Sequence, residues 1–450
     1  MLPFIVEKEK LVKFVGKLKN LKTMENKQKN YVLPIAIMFA LFFMIAFVTG
    51  LQNPFGVIVK NQFGASSFLS QLGNLANFIA YACMGIPAGY MLSKIGYKKT
   101  ALLAVVIGFA GVAVTYVSGK AESFGIYLCG AFVSGFSMCM LNTVVNPMLN
   151  TLGGGGNKGN QLIQFAGVCN SSAATIVPVL VGYLMGSNEA ARTIAKANPA
   201  LFIAMGIFAL AFVVLAVSNI PEPAYESASK ESKPAEGGKK YSAMSFRHFV
   251  LGIIAIFIYV GVEVGIPNIS NLYMTQELGI DPAMAGSLVG TYWFLMLVGR
   301  LVGGTIAGKV SSKAMLTTVS GIALVFVLAA IFTPATSNVM MPVFQSDISF
   351  GMVNVPAGIM FLVLCGLCTS VMWGGIFNLA VEGLGKYTAA ASGIFMVMVC
   401  GGGILPAIQG FVADATTYMT SYWVVVAGLA YLVFYALVGS KNVNKNIPTE

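Results

Sequence analysis

Two ionisable residues of this 450-residue chain, Glu263 and Arg300, lie inside long apolar stretches. A charged side chain in hydrocarbon is costly, so such residues pair with a partner or face a cavity. Glu263 lies about 21 Å along its helix at 1.5 Å per residue, too deep for its carboxylate to reach the membrane surface. We expect Glu263 to bind substrate or to carry a coupling cation, with a buried structural hydrogen bond as the alternative. Arg300 lies late in its stretch and is expected to reach the cytoplasmic boundary, where it would form a structural or gating pair.

Side-chain amides are a second polar population in the apolar stretches. They supply paired donors and acceptors for sugar hydroxyls, while an indole ring suits the apolar face of a sugar. Hydrogen bonding between helices is the alternative, expected for about half of the amides. Gln71, Asn74 and Asn77 form one such stripe. The candidate substrate-binding residues are Gln52, Asn53, Asn142, Asn146, Gln164, Asn170, Glu263, Asn268, Asn271, Trp293 and Asn378, with Trp373 as a second aromatic platform.

The elements that carry these residues are membrane spans. The chain is 57% hydrophobic and 10% charged, whereas about a quarter of the residues in soluble domains are charged. Its hydrophobicity is continuous over stretches near the roughly 20 residues that a spanning helix needs, unlike the alternation of barrel strands. The approximate cores are 33–58, 68–93, 100–118, 124–151, 160–186, 199–219, 249–273, 284–308, 314–334, 355–381, 387–412 and 418–440. This predicts an all-α membrane protein with twelve transmembrane helices.

Basic residues set the orientation. With a cytoplasmic N-terminus, the inner segments hold 22 of the 27 Lys and Arg residues. This bias predicts that both termini are cytoplasmic, in a cell inner (plasma) membrane, and it accounts for the net charge of +11 without nucleic acid. Residues 1–30 are not a cleavable signal peptide; they are either an amphipathic helix on an anionic lipid surface or a solvated basic tail.

The chain divides into two similar halves. Residues 221–248 form a polar linker between residues 31–220 and 249–440, and 441–450 are a cytoplasmic tail. In the fifth and eleventh spans IVPVLVGYL aligns with ILPAIQGFV, and GYMLSK, which begins at Gly89, aligns with GTIAGK, which begins at Gly304. Parallel repeats of this kind predict two six-helix bundles that alternately expose a central site.

The segment from Gly89 to Lys99, GYMLSKIGYKK, resembles the loop motif of the major facilitator superfamily. The resemblance implies the major facilitator fold and a gating role for Gly89, Lys94, Gly96, Lys98 and Lys99, to which we add Arg300. In the superfamily the charges of this loop latch the two bundles together. Ser93 stands where the motif carries an acidic residue, so the latch is expected to be weaker or made differently.

Further motifs are similar to the fucose permease family of fucose, galactose and glucose:proton symporters. They are FVLGIIAIFIYVGVEV, YWFLMLVGRLVGG, NTVVNP and FNLAVEGLGKYTAAASGIF. The resemblance implies proton-coupled sugar import. Both family carboxylates are amides here, in Leu51-Gln52-Asn53 and at Asn142, so coupling through those positions is lost. The sugar-binding Gln of the family corresponds either to Gly167 or, with a three-residue shift, to Gln164.

We therefore expect a monomeric secondary transporter that imports a hexose, deoxyhexose, amino sugar or sialic acid with H⁺ or Na⁺. An uncoupled sugar facilitator, an exporter of small amphiphilic compounds and a membrane sensor are the alternatives. No enzyme activity, catalytic residue, cofactor or metal site is expected, because the only histidine, His248, lies in the linker and the Cys365-Cys368 pair is inside an apolar helix.

Overall fold

The computed structural model describes residues 31–51, 55, 58, 62–63, 72–185, 193–222, 241–345, 349–444 and 446–449. Among these residues, ten helices are long and apolar enough to cross a membrane. One of them holds two consecutive spans on either side of a break at Gly96, and Gly156–Met185 is a further long helix. The twelve expected spans are thus present. The segment 1–30, Gln52, Asn53 and most of the linker lie outside the described residues.

The helices and strands are numbered in chain order. They are α1 Val32–Gly50, α2 Leu72–Ala121, α3 Phe124–Leu152, α4 Gly156–Met185, α5 Asn198–Val217, α6 Arg247–Leu272, α7 Pro282–Ala307, α8 Ser312–Phe332, β1 Asn338–Phe344, β2 Phe350–Pro356, α9 Ala357–Thr369, α10 Met372–Val381, α11 Thr388–Val397, α12 Gly401–Ala415 and α13 Tyr418–Phe434. Short 3₁₀ or π turns extend or join some of them, at Ala195–Ala197, Ala243–Ser245, Tyr273–Glu277, Gly385–Tyr387, Met398–Cys400 and Tyr435–Gly439.

Two spans of the second half are discontinuous. The tenth span breaks between α9 and α10, and the eleventh passes through the 3₁₀ turn Met398–Cys400 between α11 and α12. A helix break frees backbone carbonyls that side chains can then use, which is tolerated at membrane depth where it faces protein or a cavity. Ser370 and Val371, at the first break, use their carbonyl oxygens in this way.

One β-hairpin departs from the otherwise helical fold. Strands β1 and β2 pair antiparallel, with Asn338 opposite Pro356 and Phe344 opposite Phe350. The hairpin folds against α7, where the ring of Phe294 lies 5.0 Å from that of Phe344 and 5.1 Å from that of Phe350 between centroids. The hydrophobicity pattern predicts no helix or strand for residues 335–354, which lie between two spans.

The outer surface of the helices is apolar, as a lipid-facing surface must be. Val217, Phe332 and Phe411 are 78%, 72% and 75% exposed. Backbone atoms of the two halves come into direct contact on the side of the molecule that holds the Gly96 break and Thr449, which we name the inner side. There Gly85 and Gly89 of α2 meet Gly393 of α11, three residues that we name the glycine seam.

Candidate substrate-binding site

A cavity of about 250 Å³ lies between the two halves. The first half contributes residues of α1, α2, α3 and α4, and the second half contributes residues of α6, α7 and α10 together with the two helix breaks. Ligand pockets commonly span about 300–1,000 Å³, so this cavity lies just below that range and suits a single small molecule. The cavity brings together eight of the polar and aromatic residues singled out from the sequence: Asn77, Asn142, Gln164, Asn170, Glu263, Trp293, Arg300 and Trp373.

The two ionisable residues form an ion pair in this cavity. Arg300 Nη2 lies 3.5 Å from Glu263 Oε1, and each side chain is 12% exposed. Tyr292 donates its hydroxyl to the Glu263 carbonyl oxygen at 3.1 Å, which fixes α7 against α6 at this level. Because each charge neutralises the other, the ion pair adds no net charge to the cavity.

Arg300 does not reach the cytoplasmic boundary, and that expectation is wrong. Helical side chains lean towards the N-terminus of their helix, and the N-terminus of α7 is on the outer side, so the guanidinium is directed into the cavity. Its other donors are also used: Nε donates to Ser370 O at 3.2 Å, and Nη1 donates to Ser171 Oγ at 2.8 Å. Ser171 belongs to α4, so Arg300 connects the two halves.

Glycine at position 167 makes room for this connection. A Cβ at Gly167 would lie 3.1 Å from Arg300 Cδ, and the Gly167 carbonyl oxygen accepts a hydrogen bond from Arg300 Nη1 at 3.2 Å. Both positions considered for the family's sugar-binding Gln, Gly167 and Gln164, line the cavity. Gln164 donates to Val371 O across the halves at 2.9 Å and to Asn160 Oδ1 at 3.3 Å.

A chain of hydrogen bonds forms the inner wall of the cavity. Asn142 Nδ2 donates to Tyr81 OH at 2.8 Å, and Asn146 Nδ2 donates to Asn142 O at 2.9 Å. Trp373 Nε1, from the second half, donates to Asn146 Oδ1 at 3.1 Å. Asn142 lines the cavity, whereas Asn146 lies behind it and joins the halves. This wall therefore separates the cavity from the inner side.

The two indole rings that are predicted sugar platforms, Trp293 and Trp373, both border the cavity. Trp293 packs edge-on against Tyr292 with ring centroids 5.2 Å apart, and Trp373 packs edge-on against Phe395 at 6.1 Å. Asn170, also in the cavity, donates to Phe42 O at 3.2 Å. Flat apolar rings, side-chain amides and an ion pair therefore line the same cavity.

Besides Asn146, three described residues that are predicted to bind substrate lie outside the cavity. Asn268 is exposed, and neither Asn268 nor Asn271 lines the cavity, because both lie beyond Glu263 towards the outer end of α6. Asn378 donates to Ser312 Oγ at 2.8 Å and borders a separate inner cavity of about 420 Å³. Its hydrogen bond joins α10 to α8, so it acts between helices.

The predicted gating residues of the loop motif are two glycines and three lysines. Gly89 is part of the glycine seam, where a Cβ would lie 2.9 Å from Gly393 Cα. Gly96 adopts a φ of 83°, which favours glycine, and breaks α2. Lys98 Nζ donates to Ser218 O at 2.8 Å, at the end of α5 in its own half.

Apart from Gly89, the loop motif makes its contacts with its own half and with Glu222 at the start of the linker. Glu222 accepts hydrogen bonds from the backbone nitrogens of Tyr97 at 2.7 Å and Lys98 at 3.0 Å, which caps the second part of α2. Ser93 donates to Gly89 O within its own helix. Lys94 lies over the ring of Tyr90, and Lys99 is exposed.

Three residues of the site were not predicted. Tyr81 follows Asn74 and Asn77 at helical spacing, so the stripe of amides in α2 could have indicated it. Ser171 and Ser370 carried no such signal, because a serine in an apolar helix usually bonds to its own backbone. Their roles depend on where Arg300 lies.

Known proteins resemble this chain along most of its length. Over 427 residues it is 29% identical to the glucose/galactose transporter of Brucella abortus (strain 9-941), covering 94% of this chain and 98% of that protein. It is 22% identical over 409 residues to the L-fucose-proton symporter of Escherichia coli K12, with 86% and 89% covered. These relatives are named as transporters, in agreement with the expectation that the chain is not an enzyme, and they are of the kind that its motifs indicated.

Solved structures of transporters share the fold of this chain. A crystal structure of FucP, a Major Facilitator Superfamily transporter, in the outward conformation superposes with a TM-score of 0.76 at 21% identity, covering 92% of this chain and all of that one. The proton:xylose symporter XylE superposes with a TM-score of 0.70 at 12% identity, covering 91% and 95%. The sequence profile of the Major Facilitator Superfamily matches residues 38–407. With its membrane helices, its central cavity and this match, the chain belongs to the major facilitator superfamily.

Proposed function

We propose that this protein is a secondary transporter that imports a neutral monosaccharide by alternating access, coupled to a cation through Glu263. The cavity between the halves, with its indole rings, amides and ion pair, is the observation that carries the proposal. The names of the relatives, which are sugar transporters and sugar-proton symporters, support it. The protein would act as a monomer in the inner membrane with both termini cytoplasmic.

The charge of the cavity favours neutral sugars over acidic ones. Arg300 is already bonded to Glu263, Ser370 and Ser171. The carboxylate of sialic acid would have to compete with Glu263 for Arg300 and would leave one charge unpaired at membrane depth, which is costly. Hexoses and deoxyhexoses are therefore the expected substrates. The polar lining also argues against export of amphiphilic compounds.

Reconstituted vesicles test the substrate class. We expect saturable uptake of D-glucose, D-galactose or L-fucose, and little uptake of sialic acid. Protein that takes up none of these sugars from the outside, under a pH gradient or a Na⁺ gradient, would refute sugar import.

Coupling has its own test. Glu263→Gln keeps the hydrogen-bonding capacity of the side chain but cannot gain or lose a proton, so it should abolish accumulation driven by a pH gradient while sparing sugar exchange. Glu277→Gln is the matched control, since Glu277 is exposed at the outer end of the same span. Unchanged accumulation by Glu263→Gln would exclude Glu263 as the coupling residue.

An uncoupled facilitator is the second candidate. Asn142 stands where the fucose permease family carries a carboxylate, and Glu263 is already paired with Arg300. Sugar uptake that equilibrates but never accumulates, under either gradient, would favour this alternative.

A further inference from the structure

We infer that Arg300 ties the two halves together in this conformation, and that Glu263 and a bound sugar compete with that tie. The tie consists of three hydrogen bonds from Nη1 to α4 of the first half: to Ser171 Oγ at 2.8 Å, to Gly167 O at 3.2 Å and to Asn170 Oδ1 at 3.4 Å. The inference rests on the proposed function, because it describes how cation and sugar control the movement of the halves.

The distances compare the contacts of Arg300 to α4 with its contact to Glu263. Charged hydrogen bonds are usually about 2.7–2.9 Å long, so the bond to Ser171 is a full one and the 3.5 Å approach to Glu263 is a loose one. The shortest hydrogen bond of the guanidinium is thus to the opposite half, whereas Glu263 attracts it through charge. A charged Glu263 draws it back towards its own half, where the pair is neutral without any contact to α4.

Protonation of Glu263 removes this attraction. The proton comes from the outer solution and binds a carboxylate oxygen, after which Arg300 depends on oxygen atoms of α4 and on Ser370 for its stabilisation. Separating the halves would then take the three α4 acceptors away from a charged guanidinium at membrane depth and leave it only Ser370 O, at a cost of several kcal/mol. The protonated, sugar-free protein is therefore held closed on the inner side.

A sugar relieves that restraint. Gly167 and Asn170 both line the cavity, so sugar hydroxyls reach the same acceptors and can also accept from Arg300. The halves can therefore separate when proton and sugar are both bound, or when neither is bound and Glu263 neutralises Arg300. They stay closed with a proton alone, which prevents a proton leak.

Arg300 is the charged group that faces Glu263 among the described residues. The elements packed around α6 otherwise present uncharged titratable groups: Tyr259 on α6 itself, Tyr292 on α7, Cys365 and Cys368 on α9, and Tyr422 on α13. Phenols and thiols such as these are neutral at pH 7. The pH response of the tie is therefore assigned to Glu263.

Ser171→Ala tests the tie because it removes the shortest hydrogen bond and changes no charge. Ser172→Ala is the matched control, since Ser172 Oγ donates to Val168 O within its own helix at 2.9 Å. Proton entry without sugar is measured with a pH-sensitive dye inside vesicles. Loss of one hydrogen bond to a charged group corresponds to about a ten-fold change, so we expect proton entry to rise about ten-fold in Ser171→Ala and to stay at the wild-type rate in Ser172→Ala.

Hydrogen exchange followed by mass spectrometry supplies a second readout on the same variants. Residues 156–165 of α4 and 300–307 of α7 should exchange faster in Ser171→Ala at acid pH, because the inner side opens more often. Equal behaviour of the two variants, or no change in either, would overturn the inference. Wild-type protein that moves no protons with D-glucose would refute coupling through Glu263. Hydrogen exchange in Ser171→Ala would still decide whether the tie exists.

Discussion

Gly393→Ala should shift the protein away from the conformation described here. The glycine seam brings backbone against backbone: a Cβ at Gly393 would lie 2.5 Å from Gly85 O, 2.6 Å from Gly89 Cα and 2.8 Å from Gly89 N. Real Cβ atoms essentially never approach this closely, and backbone atoms have no rotamer that would relieve the overlap. The inner side can accommodate a methyl group only if α2 and α11 move apart.

The size of the shift follows from the cost of overpacking. Extra methyl groups in well-packed interfaces cost about 1–3 kcal/mol, which corresponds to roughly a 5- to 150-fold change in a two-state equilibrium. The cost applies to the state that is closed on the inner side. We therefore expect the ratio of closed to open molecules to fall by that factor.

Spin labels at Lys158 and Glu382 measure this ratio. Both residues are exposed on the inner side, one in each half, and the native cysteines would first be replaced. Gly393→Ala should move the distance distribution towards longer values. Gly410→Ala, where a Cβ meets nothing within 4 Å, is the control and should leave it unchanged. Identical distributions for both variants would refute the argument that the glycine seam holds the inner side closed.

Three further outcomes are expected. Asn142→Ala should weaken D-glucose binding, measured by thermal stabilisation of purified protein. Asn378→Ala should leave the glucose affinity unchanged, because Asn378 lies outside the central cavity. An equal loss of affinity in both variants would contradict the assignment of the central cavity as the binding site. Glucose should change tryptophan fluorescence through Trp293 and Trp373, so Trp423→Phe, which removes a half-exposed indole on the outer surface, should retain the full signal. Glu222→Ala should lower the free energy of unfolding by about 1 kcal/mol, as for the loss of a helix cap, seen as a lower melting temperature than that of wild type.

The number, length and type of the membrane helices followed from the sequence. Apolar stretches long enough to cross the membrane have few alternatives in lipid, because every backbone group must be bonded within the segment. The prediction that Glu263, Asn142 and the two tryptophans share one cavity relied on the same logic, since polar groups at membrane depth need a common polar environment. These features depend on local composition and on the solvent, both of which one sequence reveals.

Contacts between the halves depended on the tertiary structure. The position of Arg300 along α7 predicts a place at the boundary, whereas the direction of its side chain brings the guanidinium into the cavity, where it meets Ser171 and Ser370. Asn146 and Asn378 have the residue type of a sugar ligand, yet each bonds to another helix. An amide offers the same donor and acceptor to a sugar or to a neighbouring helix, so its residue type cannot distinguish the two. Which partner it meets is decided by the packing of helices far apart in the chain.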